Sequence, residues 1–488
     1  MTRARIAVLL TTFVVAAGAR VTACGDDGAA PGAAATDGST LRATFVDPDG
    51  DGTLQRGPGE PLRDRTDLAP AATPGRVLGS LGILTDAHVR DEESPARPVF
   101  LDRLGPPFSA VFRPQEALTL QVLAAAVRAL DAARPDAVVV NGDLIDNAQA
   151  NEMAGAKRAL DGGLVDPDSG APGYDGVQRA SDPDPAYYRP DVDPPRHPGL
   201  LARAERPFRS PGLRAPWYPV AGNHDLLVAG ELARTPETNA VATGDRVLVK
   251  PDPSLRVGRT EQDLNAATID RLLRSGLPGE TAPVAPDPAR RELTPAQAVA
   301  ALRPGTTGRL DYTFDLGPRV RGIVLDTVQR AKGAHGVVTP REVAFLRDEL
   351  RRAGRRWVLV FTHQPLGGFA EGAPLRALLD ADPRVVAAIA GDTHHNRITP
   401  RPTAAGGYWQ ITTSALADYP QQARMLRVRE TAGGGAALET WMLDTAPDPL
   451  ADTARALAFL DAQGGRPDHD AGTRLDRNVR LYRAAPRR

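Results

Sequence analysis

Residues 138–147, Val-Val-Val-Asn-Gly-Asp-Leu-Ile-Asp-Asn, constrain the fold of this chain more than any other stretch. A run of β-branched residues ends at Gly142 and is followed at once by two carboxylates, Asp143 and Asp146. Buried strands of open α/β sheets end in this way, because their carboxyl ends expose polar side chains at one edge of the sheet. Many α/β proteins contain one such strand end, so this stretch alone does not define a function.

The same pattern, an apolar strand followed by metal-competent side chains, recurs at four other places. The apolar runs at 77–84, 217–220, 357–361 and 385–390 predict further buried strands. With the first run, they end in five clusters: Asp86 with His88, Asp143 with Asp146, Asn223 with His224, His363, and Asp392 with His394. In an extended segment, residues i and i+2 point to the same side, so each Asp-x-His pair can hold one ion. Helical periodicity at 116–134, between the first two strands, predicts a parallel α/β unit.

These clusters match, in order, the five motifs of a known superfamily. They are Asp86-x-His88, Gly142-Asp143-x-x-Asp146-Asn147, Gly222-Asn223-His224-Asp225, His363, and Gly391-x-x-His394. The chain resembles the calcineurin-like metallophosphoesterases over roughly residues 76–443. Five motifs in this order, each after an apolar strand, are a specific signature of that superfamily. The resemblance implies an α/β fold: a four-layer αββα sandwich with two mixed sheets. Long loop insertions would follow the second motif (151–213) and the third (226–304).

The resemblance also implies a role for each motif residue. One divalent metal ion would be bound by Asp86, His88, Asp143 and His394, and a second by Asp143, Asn223, His363 and Asp392. Two ions bridged in this way clamp phosphoryl oxygens and activate a water molecule for in-line attack on a phosphate ester. His224 would act at the leaving group as general acid or electrostatic stabiliser, oriented by Asp146. Asp225 would be structural.

Two positions depart from the usual pattern of the superfamily. Asp392 stands where relatives usually have histidine, and a carboxylate there favours Mn, Fe or Mg over Zn. We do not expect His395 to replace it, because adjacent residues of an extended chain point in opposite directions. Asn147 stands where the protein Ser/Thr phosphatases of the superfamily carry a phosphate-gripping arginine. This argues against that branch and leaves the phosphate anchor unidentified.

The first 24 residues have the pattern of an export signal. Two arginines precede an apolar run from Ile6 to Ala17 that is too short to span a bilayer. Residues 21–24, Val-Thr-Ala-Cys, resemble a bacterial lipobox, in which the cysteine becomes the lipidated first residue. We therefore predict a lipoprotein anchored through Cys24 on the outer side of the cell membrane, since two acyl chains suffice for stable anchoring. The alternative is an ordinary secreted precursor with an incidental cysteine.

The composition and motifs of the rest of the chain predict a linker, one domain and a C-terminal segment. Residues 25–75 are rich in Gly, Ala, Pro and Asp and predict a flexible linker. Within it, residues 47–52 resemble the beginning of a calcium loop, but Pro58 stands where the closing glutamate belongs. We therefore interpret these residues as a turn-rich part of the linker. The metallophosphoesterase domain is expected at 76–447, followed by a C-terminal helix and tail at 448–488.

Charge narrows the possible functions. The formal net charge of the 488 residues is −1, and no basic, aromatic groove is evident, which argues against nucleic-acid binding and against a nuclease. The leading prediction is hydrolysis of a phosphomonoester, a phosphodiester or a nucleotide. The alternative is a catalytically weak, metal-containing surface lipoprotein that uses its insertions as a binding module, which the Asp392 substitution motivates. The sequence predicts a lipid anchor as the sole membrane contact and identifies no protein partner.

Overall fold

A computed structural model of the chain describes residues 38–96, 112–182, 187–254, 271, 273–274, 276–331, 333–368, 370–463 and 470–486. The predicted signal peptide, including Cys24, and the first part of the predicted linker lie outside the described residues. Among the described residues, no helix combines the length and apolar character that crossing a membrane requires.

The described residues form both strands and helices. The strands are β1 (Ala43–Val46), β2 (Gln55–Pro58), β3 (Arg63–Arg65), β4 (Pro74–Leu84), β5 (Ala137–Asn141), β6 (Gly163–Val165), β7 (Phe208–Ser210), β8 (Trp217–Val220), β9 (Arg246–Pro251), β10 (Gly279–Pro283), β11 (Tyr312–Leu316), β12 (Val320–Val324), β13 (Trp357–Phe361), β14 (Val385–Ala390), β15 (Arg397–Arg401), β16 (Tyr408–Thr412), β17 (Gln422–Thr431), β18 (Ala436–Asp444) and β19 (Val479–Arg483). The helices are α1 (Thr119–Ala133), α2 (Ala150–Asp161), α3 (Leu200–Ala204), α4 (Asn223–Leu226), α5 (Pro236–Ala242), α6 (Pro295–Leu302), α7 (Pro340–Arg352), α8 (Ala373–Ala381) and α9 (Pro449–Gln463).

Two large mixed sheets organise these elements, as the sequence predicted. The seven-stranded sheet has the order β3-β19-β18-β17-β4-β5-β8, and the six-stranded sheet has the order β11-β12-β13-β14-β16-β15. In the first sheet, β4, β5 and β8 run parallel to one another. In the second, β12, β13, β14 and β16 do so. Parallel neighbours end at the same edge, so the predicted strand-end clusters are collected there.

The alternation of side chains along each strand divides the core. In β5, Val139 packs into an apolar cluster shared by both sheets, whereas Val138 and Val140 pack on the other face with α1. In β13, Leu359 faces the shared cluster and its two valines face α7 and α8. One core therefore lies between the sheets, and each sheet also packs helices against its outer face.

Most of the predicted strands and helices are present. The strands predicted at 217–220, 357–361 and 385–390 are β8, β13 and β14. The helical periodicity at 116–134 corresponds to α1, and the side chain of Thr339 caps the N-terminus of α7 by accepting a hydrogen bond from the amide of Arg341.

The predicted descriptions of three parts of the chain need correction: the linker, the C-terminal segment and the two insertions. The predicted linker 25–75 is structured from residue 38: β1 pairs with β2, and β3 joins the large sheet beside β19. The C-terminal segment is more than a helix and tail, since β19 pairs with β18. The two insertions are not simple loops, because α2 begins at Ala150 and the strand pairs β6–β7 and β9–β10 lie within them. β3 lies in the large sheet because it pairs with β19, which is distant in the sequence.

Candidate metal centre

The carboxyl ends of five strands deliver the predicted residues to one place. Asp86 and His88 follow β4, and Asp143 follows β5. Asn223 and His224 follow β8 at the beginning of α4, His363 follows β13, and Asp392 and His394 follow β14. The first three strands belong to one sheet and the last two to the other, so the centre lies where the two sheets end together.

Three overlapping groups of possible metal ligands form there. In each group, one ligand atom of every member lies within 4.8 Å of those of the other members. The groups are Asp86 with His88 and His394, Asp86 with Asp143 and His363, and His88 with Asp143 and His224. Asp86 and Asp143 are each shared by two groups and are both buried. This is the arrangement that two ions with shared carboxylate ligands require.

The hydrogen bonds of three imidazoles fit metal ligation. Nδ1 of His363 lies 3.0 Å from the backbone carbonyl of Asn141, which can only accept, so Nδ1 carries the proton. Its Nε2 is buried without a hydrogen-bond partner, although it lies 3.0 Å from Oδ2 of Asp143. Nδ1 of His88 and of His394 likewise contact carboxylates, and their Nε2 atoms face each other at 3.1 Å. Oxygen partners at Nδ1 typically orient metal-binding histidines.

The electrostatics of the centre favour a cation. Burial raises the pKa of the Asp143 carboxyl, but the neighbouring charges of His363 and His224 outweigh burial and hold that pKa below its ordinary value. Burial lowers the pKa of His394, yet the Asp86 and Asp418 carboxylates raise it to about 10. The raised pKa of His394 shows that the neighbouring carboxylates favour a positive charge at this place, where several anionic oxygens converge.

The backbone at these strand ends differs from the prediction. Asp86 and His88 have φ of 52° and 42°, and Asp392 and His394 have φ of 67° and 57°. These four residues are therefore left-handed rather than extended, and the prediction that extended backbone places both members of each Asp-x-His pair on one side is wrong. His394 still joins Asp86 and His88, whereas Asp392 is oriented toward His363, with its Oδ1 3.7 Å from Nε2. Residues in this sparsely populated region concentrate at functional sites.

The role predicted for Asp146 also needs correction. Its carboxylate accepts a hydrogen bond from Nδ1 of His88 at 2.9 Å and contacts the guanidinium of Arg90. His224 instead donates from Nδ1 to the backbone carbonyl of Asp146 at 2.6 Å, while the carboxylate Oδ1 is 3.7 Å away. Asp146 therefore orients His224 through its main chain and His88 through its side chain.

The other motif residues have mostly structural contacts. Asp225 accepts hydrogen bonds from the backbone amides of Leu144, Ile145 and Gly222, as expected of a structural residue. Asn223 donates to the carbonyl of Gly230 and accepts from Gln364. Asn147 accepts a hydrogen bond from the amide of Ala229 and donates one to the carbonyl of Ala96. His395 is in none of the ligand groups of the described residues, and its Nδ1 lies 3.8 Å from Asp470.

A profile of the calcineurin-like phosphoesterase family matches residues 80–396, more than half of the chain. The chain belongs to the calcineurin-like phosphoesterase family. Comparison with curated proteins gives no match.

Three solved structures to which this phosphoesterase is similar are as follows. A dimetal phosphatase from Danio rerio has 13% identity, with 76% of this chain and 100% of that chain covered and a TM-score of 0.38. A purple acid phosphatase from yellow lupin seeds has 11% identity, coverage of 80% and 54%, and a TM-score of 0.31. The sulfate thiohydrolase SoxB from Thermus thermophilus has 15% identity, coverage of 82% and 62%, and a TM-score of 0.30. The family assignment rests on the profile match.

Sequence reasoning missed three residues, Asp418, Arg113 and Arg90, that position candidate metal ligands of this phosphoesterase. Asp418 accepts a hydrogen bond from Nδ1 of His394 at 2.5 Å, and Arg113 binds the same carboxylate. Arg90 contacts the carboxylate of Asp146, which orients His88. Asp418 follows the end of β16 by six residues, so a search for a sixth strand end followed by an acid would have found it. Arg113 lies far from any motif, and nothing local marks it.

Gly230 was missed for a different reason, since its importance is steric. A Cβ atom at this position would lie 2.4 Å from Nε2 of His224 and 2.6 Å from Nδ2 of Asn223. Its φ of 73° is also one that side chains with a Cβ rarely adopt. Gly142, within the second motif, has the same function opposite His363, because a Cβ there would lie 2.2 Å from Nδ1. Both glycines leave room for a ring of the centre.

Proposed function

We propose that this chain is an exported phosphoesterase that uses two divalent metal ions to hydrolyse a phosphomonoester, a phosphodiester or a nucleotide. The observation that carries the proposal is the convergence of two buried carboxylates, Asp86 and Asp143, with the Nε2 atoms of three imidazoles, those of His88, His363 and His394. Membership of a phosphoesterase family supports the reaction class.

The ligand groups suggest which residues would hold each ion. Asp86, His88 and His394 would hold one ion, and Asp143 and His363 the other, with Asp143 shared and with Asn223 and Asp392 at the margin of the second position. Ions bound there would polarise phosphoryl oxygens and lower the pKa of a water molecule. Because Asp392 is a hard, anionic donor, we expect Mn, Fe or Mg rather than Zn.

His224 is suited to proton transfer at the leaving group. Its Nδ1 proton is held by the carbonyl of Asp146 at 2.6 Å, which fixes the ring and leaves Nε2 available. Its side chain is 23% exposed, whereas that of His363 is fully buried. A ring that is fixed at one nitrogen and accessible at the other can donate a proton from Nε2 to a departing oxygen.

Hydrolysis assays test the proposal. We expect p-nitrophenyl phosphate or bis(p-nitrophenyl) phosphate to be turned over when Mn, Fe, Zn and Mg are each added to metal-free protein. Asp143→Ala should abolish both metal binding and turnover, because two ligand groups share Asp143. Asp315→Ala, which removes an exposed carboxylate, is the matched control and should retain both. Unchanged hydrolysis by Asp143→Ala would sink the assignment.

The alternative is a catalytically weak surface protein that binds a partner through its insertions. The observation in its favour is Asp392, which belongs to none of the ligand groups among the described residues. Metal analysis after loading separates the two functions. Less than one equivalent of any transition metal per chain would favour the binding module, whereas two equivalents would favour the enzyme.

Export is the remaining part of the proposal and depends on residues 1–24. We propose that they are a signal peptide and that Cys24 is lipidated, so that the protein is held on the outer side of the cell membrane by a lipid anchor alone. The lipobox-like sequence supports this. Cys24→Ser should move the protein from the membrane fraction to the soluble or secreted fraction of a bacterial host, and an unchanged distribution would contradict lipidation.

A further inference from the structure

A second cluster of acidic side chains lies outside the metal centre. It consists of Glu93, Asp168 and Glu205, each of which offers one carboxylate oxygen within 4.8 Å of those of the other two. Glu93 is five residues beyond His88, Asp168 follows β6, and Glu205 follows α3. The cluster thus joins the segment after the first motif to both halves of the first insertion.

Two of the three side chains, Glu93 and Glu205, are buried, Asp168 is half-buried, and their negative charges are incompletely compensated. Glu93 and Glu205 are only 2% and 6% exposed. Within the part of the chain that the structure describes, none of the three forms an ion pair with Lys, Arg or His. Glu93 accepts hydrogen bonds from the backbone amides of Asp175 and Ser169, at 2.7 Å and 3.3 Å. Oε1 of Glu205 is buried and has no hydrogen-bond partner.

The unpartnered oxygen of Glu205 is the observation that points to a ligand. An isolated buried carboxylate is costly unless a counter-charge or a proton neutralises it. Burial, together with the charges of Glu93 and Asp168, raises the pKa of Glu205 to about 9, and burial raises that of Glu93 to about 7. The cluster must therefore hold either protons or a cation at neutral pH. A proton shared between Glu205 and Glu93 is the competing explanation.

The donor set identifies the kind of cation. All three side chains offer carboxylate oxygens, and Oδ1 of the neighbouring Asp175 is also buried without a partner. Calcium binds six to eight oxygens in irregular arrangements, whereas magnesium demands a regular octahedron and retains water. Zinc and copper prefer nitrogen and sulfur ligands, which the cluster lacks.

We propose that Glu93, Asp168 and Glu205 form a calcium site that ties the first insertion to the segment after the first motif. That segment also carries Arg90, whose guanidinium contacts Asp146 and thereby supports His88. A calcium ion here stabilises the insertion and reinforces the support of the catalytic centre without taking part in the reaction.

Calorimetric titration of CaCl₂ into the EGTA-treated full chain tests the site. The titration is made in the Asp143→Ala background, so that calcium binding at the catalytic centre does not contribute. We expect one Ca²⁺ to bind with a Kd below about 1 mM. Glu205→Gln and Asp168→Asn should weaken this binding by at least about tenfold. Asp166→Asn, which removes an exposed carboxylate of the same segment, should bind as the background does.

Thermal unfolding of chains with an intact Asp143 provides a second measurement. Calcium at ten times its Kd should raise the Tm of the wild type and of Asp166→Asn by about 1–3 °C, and should leave that of Glu205→Gln unchanged. In EGTA, Glu205→Gln should be at least as stable as the wild type, because it removes like-charge repulsion. A Tm of the wild type that is insensitive to calcium, or calcium binding that survives Glu205→Gln, would overturn the proposal in favour of a shared proton.

Discussion

Asp418 accepts a hydrogen bond from Nδ1 of His394 at 2.5 Å, and the same carboxylate is held by two nitrogens of Arg113 at 2.5 and 3.1 Å. The arrangement is repeated on the other side of the centre, where Arg90 contacts the Asp146 carboxylate that orients His88. Each ring is therefore fixed by an arginine-supported carboxylate. As a result, the two Nε2 atoms face each other beside Asp86.

Asp418→Asn should weaken metal binding while leaving the fold intact. Burial raises the pKa of Asp418, but the charge of Arg113 and the contact with His394 hold it well below the ordinary value, so the residue is an anion in the wild type. The variant loses that charge, and its amide NH₂ must face either Arg113 or His394. We expect metal affinity to fall by about 10–100-fold, with turnover partly restored by excess metal. Metal titration measures the effect, and Asp315→Asn at the surface is the control.

The strand ends were predictable because their signals are local. Runs such as Val138–Val140 or Trp357–Phe361 combine β-branched and apolar residues in short segments, and the polar residue that follows marks the sheet edge. Thr339 and Pro340 mark the beginning of α7 equally clearly. These features depend on neighbours within a few residues, so a single sequence contains them.

The features that were missed depend on distant contacts. The strand β3 is Arg-Asp-Arg, which has no strand propensity of its own and is ordered by pairing with β19 more than 400 residues away. The support of His394 by Asp418 likewise depends on the fold. Asp and His are enriched in the left-handed region, but residue type alone does not locate the left-handed backbone of Asp86 and His88, because the surrounding structure imposes it. By contrast α2, with buried Met153, Ala156 and Leu160, had a helical pattern that was overlooked.

Gly230→Ala should lower turnover by displacing His224. The new Cβ would lie 2.4 Å from Nε2 of the imidazole, on a backbone whose φ is 73°. We expect kcat to fall by about tenfold or more with little change in KM. A double-mutant cycle with His224→Ala tests the cause: if the effect acts through the ring, Gly230→Ala costs little in the His224→Ala background. Metal analysis of Gly230→Ala is needed as well, because Nδ2 of Asn223 lies 2.6 Å from the same Cβ position. Losses of kcat that are equal in the wild-type and His224→Ala backgrounds, and therefore additive, would contradict this explanation.

Glu292 should make stability depend on pH. It is buried, accepts a hydrogen bond from Thr238 at 2.7 Å, and has a pKa raised by burial from 4.5 to about 7. Between these values the folded state binds more protons than the unfolded state, so stability falls as pH rises through about 7. Glu292→Gln cannot ionise, and its stability relative to wild type should increase by about 2–3 kcal/mol from pH 5 to pH 8.

Denaturant unfolding at the two pH values measures this difference for Glu292→Gln. Glu280→Gln, at an exposed glutamate, is the control and should show no comparable change. A difference between Glu292→Gln and wild type that stays constant with pH would mean that Arg234, whose Nε lies 4.0 Å from the carboxylate, keeps Glu292 ionised in the folded state.

Asp392→His should shift metal preference toward zinc. Oδ1 of Asp392 lies 3.7 Å from Nε2 of His363, and its backbone amide donates to the Asp86 carboxylate at 3.2 Å, so the position is held at the edge of the centre. Histidine tolerates the left-handed φ of 67° better than most residues, and His394 already adopts a similar one. An imidazole is a softer, neutral donor, so activity with Zn should rise several-fold relative to activity with Mn.

Asp392→Asn separates donor type from charge at this position, because it retains an oxygen donor and loses the negative charge. If the preference of the centre follows the donor atom, Asp392→Asn should retain the wild-type order of metals while Asp392→His reverses it. If both variants shift toward zinc equally, the lost charge is responsible rather than the nitrogen. An unchanged order of metals in both would mean that residue 392 does not ligate, and that the second ion depends on Asp143, His363 and Asn223 alone.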